Sequence, residues 1–327
     1  FLFVLFGTLL EFTGVTSFIL GLVRRLFSQS AGAPGKVAVV ASGLMGSLSG
    51  SAVANTATTG TFTIPLMKNS GFRSEVAGGI EAAASSGGAL MPPIMGAAAY
   101  MMLEMVTPAV TYVQIIRSAL VPGLLYYFSL LLLVHLYSKR YQLKEKTMGA
   151  VSKAVVPWAG VIFLTSLSVL LISLFLGYTP LRAVTFAILG VSVLSTFSRQ
   201  TRLTRSSLMD TLHKSARGGV PLICAAACVG IIIGVVTLTG LGTRLPSLIL
   251  PLAEQNLLAA LFLIMICSLV LGMGLPSVVC YLLLATFVGP VLGNLGIVPL
   301  AGHFFIFYFG MMSMVTPPIA LAAFTAA

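Results

Sequence analysis

Gly46-Ser47-Leu48-Ser49-Gly50-Ser51-Ala52-Val53-Ala54-Asn55-Thr56 decides how this chain is read. It is a run of small and hydroxyl-bearing residues set into the apolar stretch 37–66, which it breaks in two. Three more apolar stretches are interrupted in the same manner. Stretch 76–106 is broken at Ser86-Gly87-Gly88 and at Pro92-Pro93, stretch 257–292 at Gly272-Met273-Gly274-Leu275-Pro276-Ser277, and stretch 300–327 at Thr316-Pro317-Pro318. Around them lie continuous apolar runs at 1–23, 112–137, 155–177, 181–197 and 218–239. Only 8% of the 327 residues are charged and 58% are hydrophobic, against about 25% and 45–50% in a soluble domain. Lipid is the solvent that suits such a surface, so the continuous runs read as spanning helices. In hydrocarbon, unpaired backbone is tolerated only where protein or a wet cavity surrounds it, so the interruptions are where a site belongs.

The interrupted stretches form two matching sets. Pro65-Leu66, Asn69-Ser70-Gly71 and Pro92-Pro93-Ile94 recur 225 residues later as Pro290-Val291, Asn294-Leu295-Gly296 and Pro317-Pro318-Ile319. Thr13-Gly14 and Gly46 recur at 226 as Thr239-Gly240 and Gly272. Corresponding Gly/Pro-interrupted segments in two halves are the sequence mark of a transporter site. Charge gives the sidedness. If 37–66 and 257–292 are re-entrant hairpins and the second broken stretch of each set crosses, 15 of the 18 Lys and Arg residues fall on one face, with Arg117, Arg182 and Arg244 on the other. The rich face is cytoplasmic. Five crossings precede residue 218, an odd number, so the second set enters from the opposite side. The chain is thus expected to be an all-α polytopic membrane protein with two inverted-topology repeats. Residues 1–106 hold the first repeat, with its cytoplasm-facing hairpin 37–66 and broken helix 76–106. Residues 107–217 supply scaffold helices and cytoplasmic loops. Residues 218–327 hold the second repeat, with its outward-facing hairpin 257–292 and broken helix 300–327. The hairpin tips are expected to meet near the midplane.

Tip chemistry follows from residue type. Hydroxyls and exposed carbonyls replace water around a hard cation such as Na⁺. A helix N-terminus aimed at the midplane favours an anion. Ser49, Gly50, Ser51, Pro276, Ser277 and Thr316 are therefore the expected substrate contacts. Ser51, Asn55, Gly87, Gly88, Gly272, Gly274, Ser313 and Thr316 are the expected Na⁺ ligands, with the breaks at Ser86-Gly87-Gly88 and Ser313-Met314-Val315-Thr316 presenting unwound carbonyls to the tips. Small residues also serve plain helix packing. Glu81 is either a coupling carboxylate, which would permit H⁺ in place of Na⁺, or a structural residue bonded to a hairpin hydroxyl. Glu11 and Glu104 are weaker candidates. His303 reads as a packed, hydrogen-bonded histidine, and Cys224, Cys228, Cys267 and Cys280 as small buried hydrophobes. No cofactor and no nucleic acid is expected, because the positive charge of +11 marks cytoplasmic loops and lipid headgroups. Two other function classes are disfavoured. A channel needs a continuous polar path, which two opposed hairpins plug. An intramembrane serine hydrolase, which Ser49-Gly50 superficially resembles, needs a base in reach, and His135, His213 and His303 all fall at segment ends.

Ser42 to Asn55, Glu81 to Gly88 with Met91 to Ala98, Gly272 to Ser277, and Phe307 to Gly310 with Thr316 to Ala322 resemble the large membrane subunit of tripartite ATP-independent periplasmic (TRAP) transporters. The wording is closest to the branch with fused small and large subunits that works with TAXI-type binding proteins. The resemblance covers most of the chain. It implies an elevator-type secondary transporter of the bacterial or archaeal inner membrane, not an enzyme. It also implies cation coupling, usually to Na⁺, and import of a small organic acid or amino acid. Its implied partners are a periplasmic substrate-binding protein and a small membrane subunit, fused or separate. The chain opens without Met and stops inside an apolar run, so a fragment is expected, lacking the small-subunit helices and the last helices of the large one.

Overall fold

The computed structural model describes residues 2–143, 157–240, 251 and 256–327. Every regular element among them is helical. In chain order they are α1 (Leu2–Phe12), α2 (Val15–Phe27), α3 (Ala33–Ser49), α4 (Ala52–Asn69), α5 (Ser74–Gly88), α6 (Gly96–Met105), α7 (Tyr112–Arg140), α8 (Pro157–Phe175), α9 (Pro180–Ser195) and α10 (Arg205–Thr239). The second set follows as α11 (Leu257–Gly272), α12 (Ser277–Phe287), α13 (Gly289–Asn294), α14 (Pro299–Met312), a 3₁₀ turn at Ser313–Val315, and α15 (Leu321–Ala326). Among the described residues, α7 and α8 are each long and apolar enough to cross a membrane, and α1 with α2 passes only as a pair.

The expected breaks fall where Gly and Pro put them. Hairpin one turns at Gly50-Ser51: Gly50 is left-handed at φ 65°, and Ser51 caps α4 by accepting a hydrogen bond from the Ala54 N–H. Hairpin two turns over Met273–Pro276, with Gly274 left-handed at φ 77°. Both broken helices carry a cis Pro-Pro bond, followed by a left-handed residue, Met95 in one and Ala320 in the other. Gly14 and Gly240, and Gly71 and Gly296, share positive φ as well, so the sequence offset is also an offset in backbone conformation.

Five expectations need correction. The run 1–23 is two helices bent by 66°, because Gly14 is left-handed and the Thr13 hydroxyl turns back onto the Leu10 carbonyl. Ser86-Gly87-Gly88 stays helical. The Gly87 and Gly88 carbonyls accept the Leu90 and Met91 N–H groups, and the break comes over 89–95, where Pro92 and Pro93 have no N–H to give. The run expected at 218–239 begins at Arg205 rather than Gly218, so about two thirds of the expected 199–217 loop is helix. Lys36, one of the 15 cations placed on the cytoplasmic face, is buried, with its ammonium on Ser30 and on His135 Nδ1. Of the four cysteines expected to be buried, Cys224 and Cys228 are exposed and Cys267 is half-buried, while Cys280 is buried. His303 is packed and bonded as expected, with Nδ1 2.8 Å from the Tyr281 hydroxyl. Lys144, Lys146, Lys153 and Arg244 lie outside the described residues.

Hairpin helices α3 and α4 pack on each other and on α5, and α11 and α12 pack on α14. The two sets interlock: α15 lies on α4 and α5, while α6 lies on α12. A second group, α8 with α9 against α1 and α2, stands beside them. Between apolar helices in lipid there is little hydrophobic drive, so close backbone approach and buried hydrogen bonds hold the contacts. Two approaches are extreme. A Cβ on Gly88 would lie 2.4 Å from Gly46 Cα, and one on Gly50 would lie 2.4 Å from Gly96 Cα.

Candidate functional site

The two tips touch. The Ser277 hydroxyl, at the start of α12, donates to the Gly50 carbonyl at 2.7 Å, across 227 residues of sequence. Beside this contact lies a cavity of about 560 Å³. Ser49, Gly50, Ser51 and Asn55 line it from hairpin one, and Pro276 and Ser277 from hairpin two. The N-terminus of α12 has no side-chain cap, since Pro276 precedes it, so its first N–H groups remain for a guest. Gly96 follows from α6, and α1 and α10 complete the wall with Thr8, Glu11, Lys214 and Gly218.

The remaining sequence candidates stand behind this wall. Thr316 does not line the cavity, and its hydroxyl folds back onto the Met312 carbonyl at 2.7 Å. Gly88 is pressed on Gly46, and Gly87 faces the Tyr126 ring. A Cβ on Gly272 would lie 2.7 Å from both Ser313 Oγ and Cys280 Sγ, and one on Gly274 3.0 Å from Ile319. Gly46 with Gly88 in the first set thus has its counterpart in Gly272 with Ser313 in the second. The Ser86 hydroxyl is buried without a hydrogen-bond partner among the described residues.

Glu81 has no exposed surface. Its Oε1 accepts from Ser42 at 2.7 Å, Thr59 at 2.5 Å and Ser85 at 3.1 Å, and its Oε2 from Thr63 at 2.6 Å. Asn55 extends the cluster to the cavity, donating from Nδ2 to the Ser42 carbonyl at 2.8 Å and to Ser85 Oγ at 3.1 Å. Asn55, Thr59 and Thr63 are spaced four apart on α4, so one helix face supplies all three. At the same offset of 225 the second set carries Cys280, Leu284, Val288, Ile306 and Gly310 where the first carries Asn55, Thr59, Thr63, Glu81 and Ser85. Ile306 and Leu284 are fully buried there. The same helix crossing is therefore built once with a carboxylate and hydroxyls and once with hydrocarbon.

Sequence reasoning missed the Glu11–Lys214 pair, 2.8 Å between Nζ and Oε1. By sequence Lys214 counts with the cytoplasmic cations and Glu11 is a weak candidate, and nothing local signals a contact between residues 203 positions apart. It also missed Tyr126 and Tyr127, whose hydroxyls donate to the Ala83 and Ala84 carbonyls at 2.8 and 2.7 Å and tie α7 to α5.

The family model described as "Tripartite ATP-independent periplasmic transporter, DctM component" matches residues 1–327. The chain is 25% identical to a putative TRAP transporter large permease protein of Haemophilus influenzae over 97% of its own length and 74% of the relative's. It is 25% identical to the 2,3-diketo-L-gulonate TRAP transporter large permease protein of Escherichia coli, with the same coverage. It is 26% identical to the sialic acid TRAP transporter large permease protein of Vibrio cholerae over 98% of this chain and 74% of that one. These relatives are transporter permeases and not enzymes. With an all-helical fold, two interrupted-helix sets and a cavity where their tips meet, the chain belongs to the DctM component family of tripartite ATP-independent periplasmic transporters.

Proposed function

We propose that this chain is the translocating part of a Na⁺-coupled importer that binds a small organic anion in the cavity between the two tips. The observation that carries the reading is the Ser277–Gly50 contact, which closes one side of a cavity whose rim is hydroxyls, carbonyls and a helix N-terminus. Sialic acid and 2,3-diketo-L-gulonate, named for two relatives, are both hydroxylated carboxylates and fit that rim. Na⁺ takes oxygens at the backs of the tips, from Ser51, Asn55 and the Gly87–Gly88 backbone on one side and from Gly272, Gly274, Ser313 and Thr316 on the other. The unpartnered Ser86 oxygen supports the first of these. Glu81 serves as a clamp between hairpin one and α5, since hydroxyl donors surround its carboxylate.

The two sets are inverted-topology repeats, 1–106 and 218–327, with hairpin one open to the cytoplasm and hairpin two to the outside. Interlocked hairpins and broken helices, with α7 tied to α5, travel as one body past a scaffold built from α1, α2 and α8–α10, which is an elevator form of alternating access. A periplasmic binding protein delivers the cargo, a small membrane subunit, fused or separate, braces the scaffold, and the assembly sits in the bacterial inner membrane. Uptake into proteoliposomes holding the complete transporter and its binding protein tests the coupling. A Na⁺ gradient should drive uphill uptake and a pH gradient alone should not. Asn55→Ala should raise the Na⁺ concentration for half-maximal uptake about tenfold, the worth of roughly 1.4 kcal/mol of lost ligand geometry. Uptake driven by pH alone, with Na⁺ dependence unchanged in the variant, would move the coupling role to Glu81. Orientation is tested separately: a cysteine at Leu295 should react with an impermeant maleimide from outside intact cells, and one at Lys139 should not.

A further inference from the structure

We propose that Lys214 is the residue that takes an acidic group of the cargo, with Glu11 holding its ammonium in place while the cavity is empty. This rests on the reading of the cavity as the cargo site. Among the described residues that line it, Lys214 is the only cation and Glu11 the only anion. The side chain of Lys214 remains 61% exposed although it is paired, and that of Glu11 32%. An ammonium has three N–H donors, and the Glu11 bond uses one. The others are open to an oxygen acceptor entering the cavity, without Lys214 having to leave its partner.

Backbone packing fixes where this charge emerges. Gly218, one turn beyond Lys214 on α10, has no side chain to hold α10 off α1, and a Cβ there would lie 3.2 Å from Val4. On α1 the cavity-lining residues Val4, Gly7, Thr8 and Glu11 recur at helical spacing, so Glu11 closes the same face just before the bend at Gly14. The Glu11 carboxylate is the same chemical group that an organic acid would bring. It neutralises Lys214 in the resting cavity and orients its ammonium, so an arriving carboxylate meets an ordered donor.

A plain interhelix ion pair would make the opposite prediction for one variant, and this separates the two roles. The measurement is initial-rate uptake by the complete transporter of labelled sodium salts of sialic acid, 2,3-diketo-L-gulonate, L-glutamate and L-malate. For whichever anion the wild type carries, Lys214→Gln should raise KM about tenfold or more with little change in maximal rate, since a charge-assisted hydrogen bond to cargo is lost. Lys214→Arg should recover part of it. Glu11→Gln should leave KM unchanged or lower it about two- to fivefold, because it removes the competing carboxylate. An unchanged KM in Lys214→Gln, or a matching rise in KM in both glutamine variants, would overturn the assignment while leaving the transport reading intact. Failure of the wild type to carry any of these anions would sink the transport reading first and this inference with it.

Discussion

Gly88→Leu should abolish uptake, while Gly79→Leu, on the same helix, should leave it near normal. A Cβ at Gly88 would lie 2.4 Å from Gly46 Cα and 2.8 Å from its carbonyl carbon, both backbone atoms, whereas one at Gly79 meets nothing within 4 Å. Non-bonded carbons rest about 3.5–4.0 Å apart, so α3 and α5 would have to separate by more than about 1 Å. Overpacking of this kind costs about 1–3 kcal/mol in soluble cores and more where backbone meets backbone. The functional loss should exceed the stability loss. The same crossing holds the Asn55 bonds to Ser42 and Ser85, and Asn55 lines the cavity. Gly87→Ala should be disruptive as well, since its Cβ would lie 2.2 Å from the Tyr126 ring, which the bond of its hydroxyl to the Ala83 carbonyl holds in place. Thermal midpoint in detergent and uptake in proteoliposomes, measured on the same preparations, would check the ordering. Wild-type uptake in Gly88→Leu would mean that the crossing does not set the tip.

The second large effect is expected at Glu81. Glu81→Ala removes the shared acceptor of four buried hydroxyls and leaves a cavity, at a cost of about 2–4 kcal/mol. Thr59 and Thr63 keep a fallback in their own helix, on the Asn55 and Thr59 carbonyls. Glu81→Gln keeps the shape but turns one acceptor into a donor facing a donor, for about 1–2 kcal/mol. The second set points to a rescue. Combining Thr59→Leu, Thr63→Val, Glu81→Ile and Ser85→Gly copies the residues at the same offset, Leu284, Val288, Ile306 and Gly310. The variant replaces the carboxylate and three of its four hydroxyl donors, all but Ser42, by packed hydrocarbon, a change that is often neutral or better, so it should be more stable than Glu81→Ala. If it transports as well as the wild type, the carboxylate is a clamp alone. A stable variant with altered cation dependence would give Glu81 a share in coupling.

The breaks were legible because Gly and Pro act locally. Gly50-Ser51, the Met273–Pro276 turn and both Pro-Pro bends lie where those residues forbid continued helix. The expected cavity cluster was legible too, because Ser49, Gly50, Ser51 and Asn55 sit within two turns of one tip and Pro276 and Ser277 at the other. Ser86-Gly87-Gly88 misled. Glycine costs a helix about 1 kcal/mol, which reads as a break, but here Gly88 lets α5 lie against α3 and the helix continues. Gly14 misled in the other direction. The apolar run 1–23 reads as continuous through it, yet its left-handed φ of 83° turns the chain by 66°. Pairs such as Glu11 with Lys214, or Glu81 with Ser42, join helices far apart in sequence. Residue type alone gave each of them a charge or a hydroxyl and no partner.

The central claim is that the two tips, with the groups they bring to the cavity, move as one body against the scaffold, whose α1 and α10 wall the cavity in this structure. Spin labels on Ala54 and Leu275 report across the tips, and labels on Ala54 and Leu189 report from hairpin one to α9. Pulsed-dipolar distances should be taken on the complete transporter in liposomes, with Na⁺ and with Na⁺ plus cargo. The account predicts a nearly constant Ala54–Leu275 distance while the Ala54–Leu189 distribution splits into two well-separated populations whose weights shift with cargo. A tip-to-tip distance that changes as much as the tip-to-scaffold distance would contradict it.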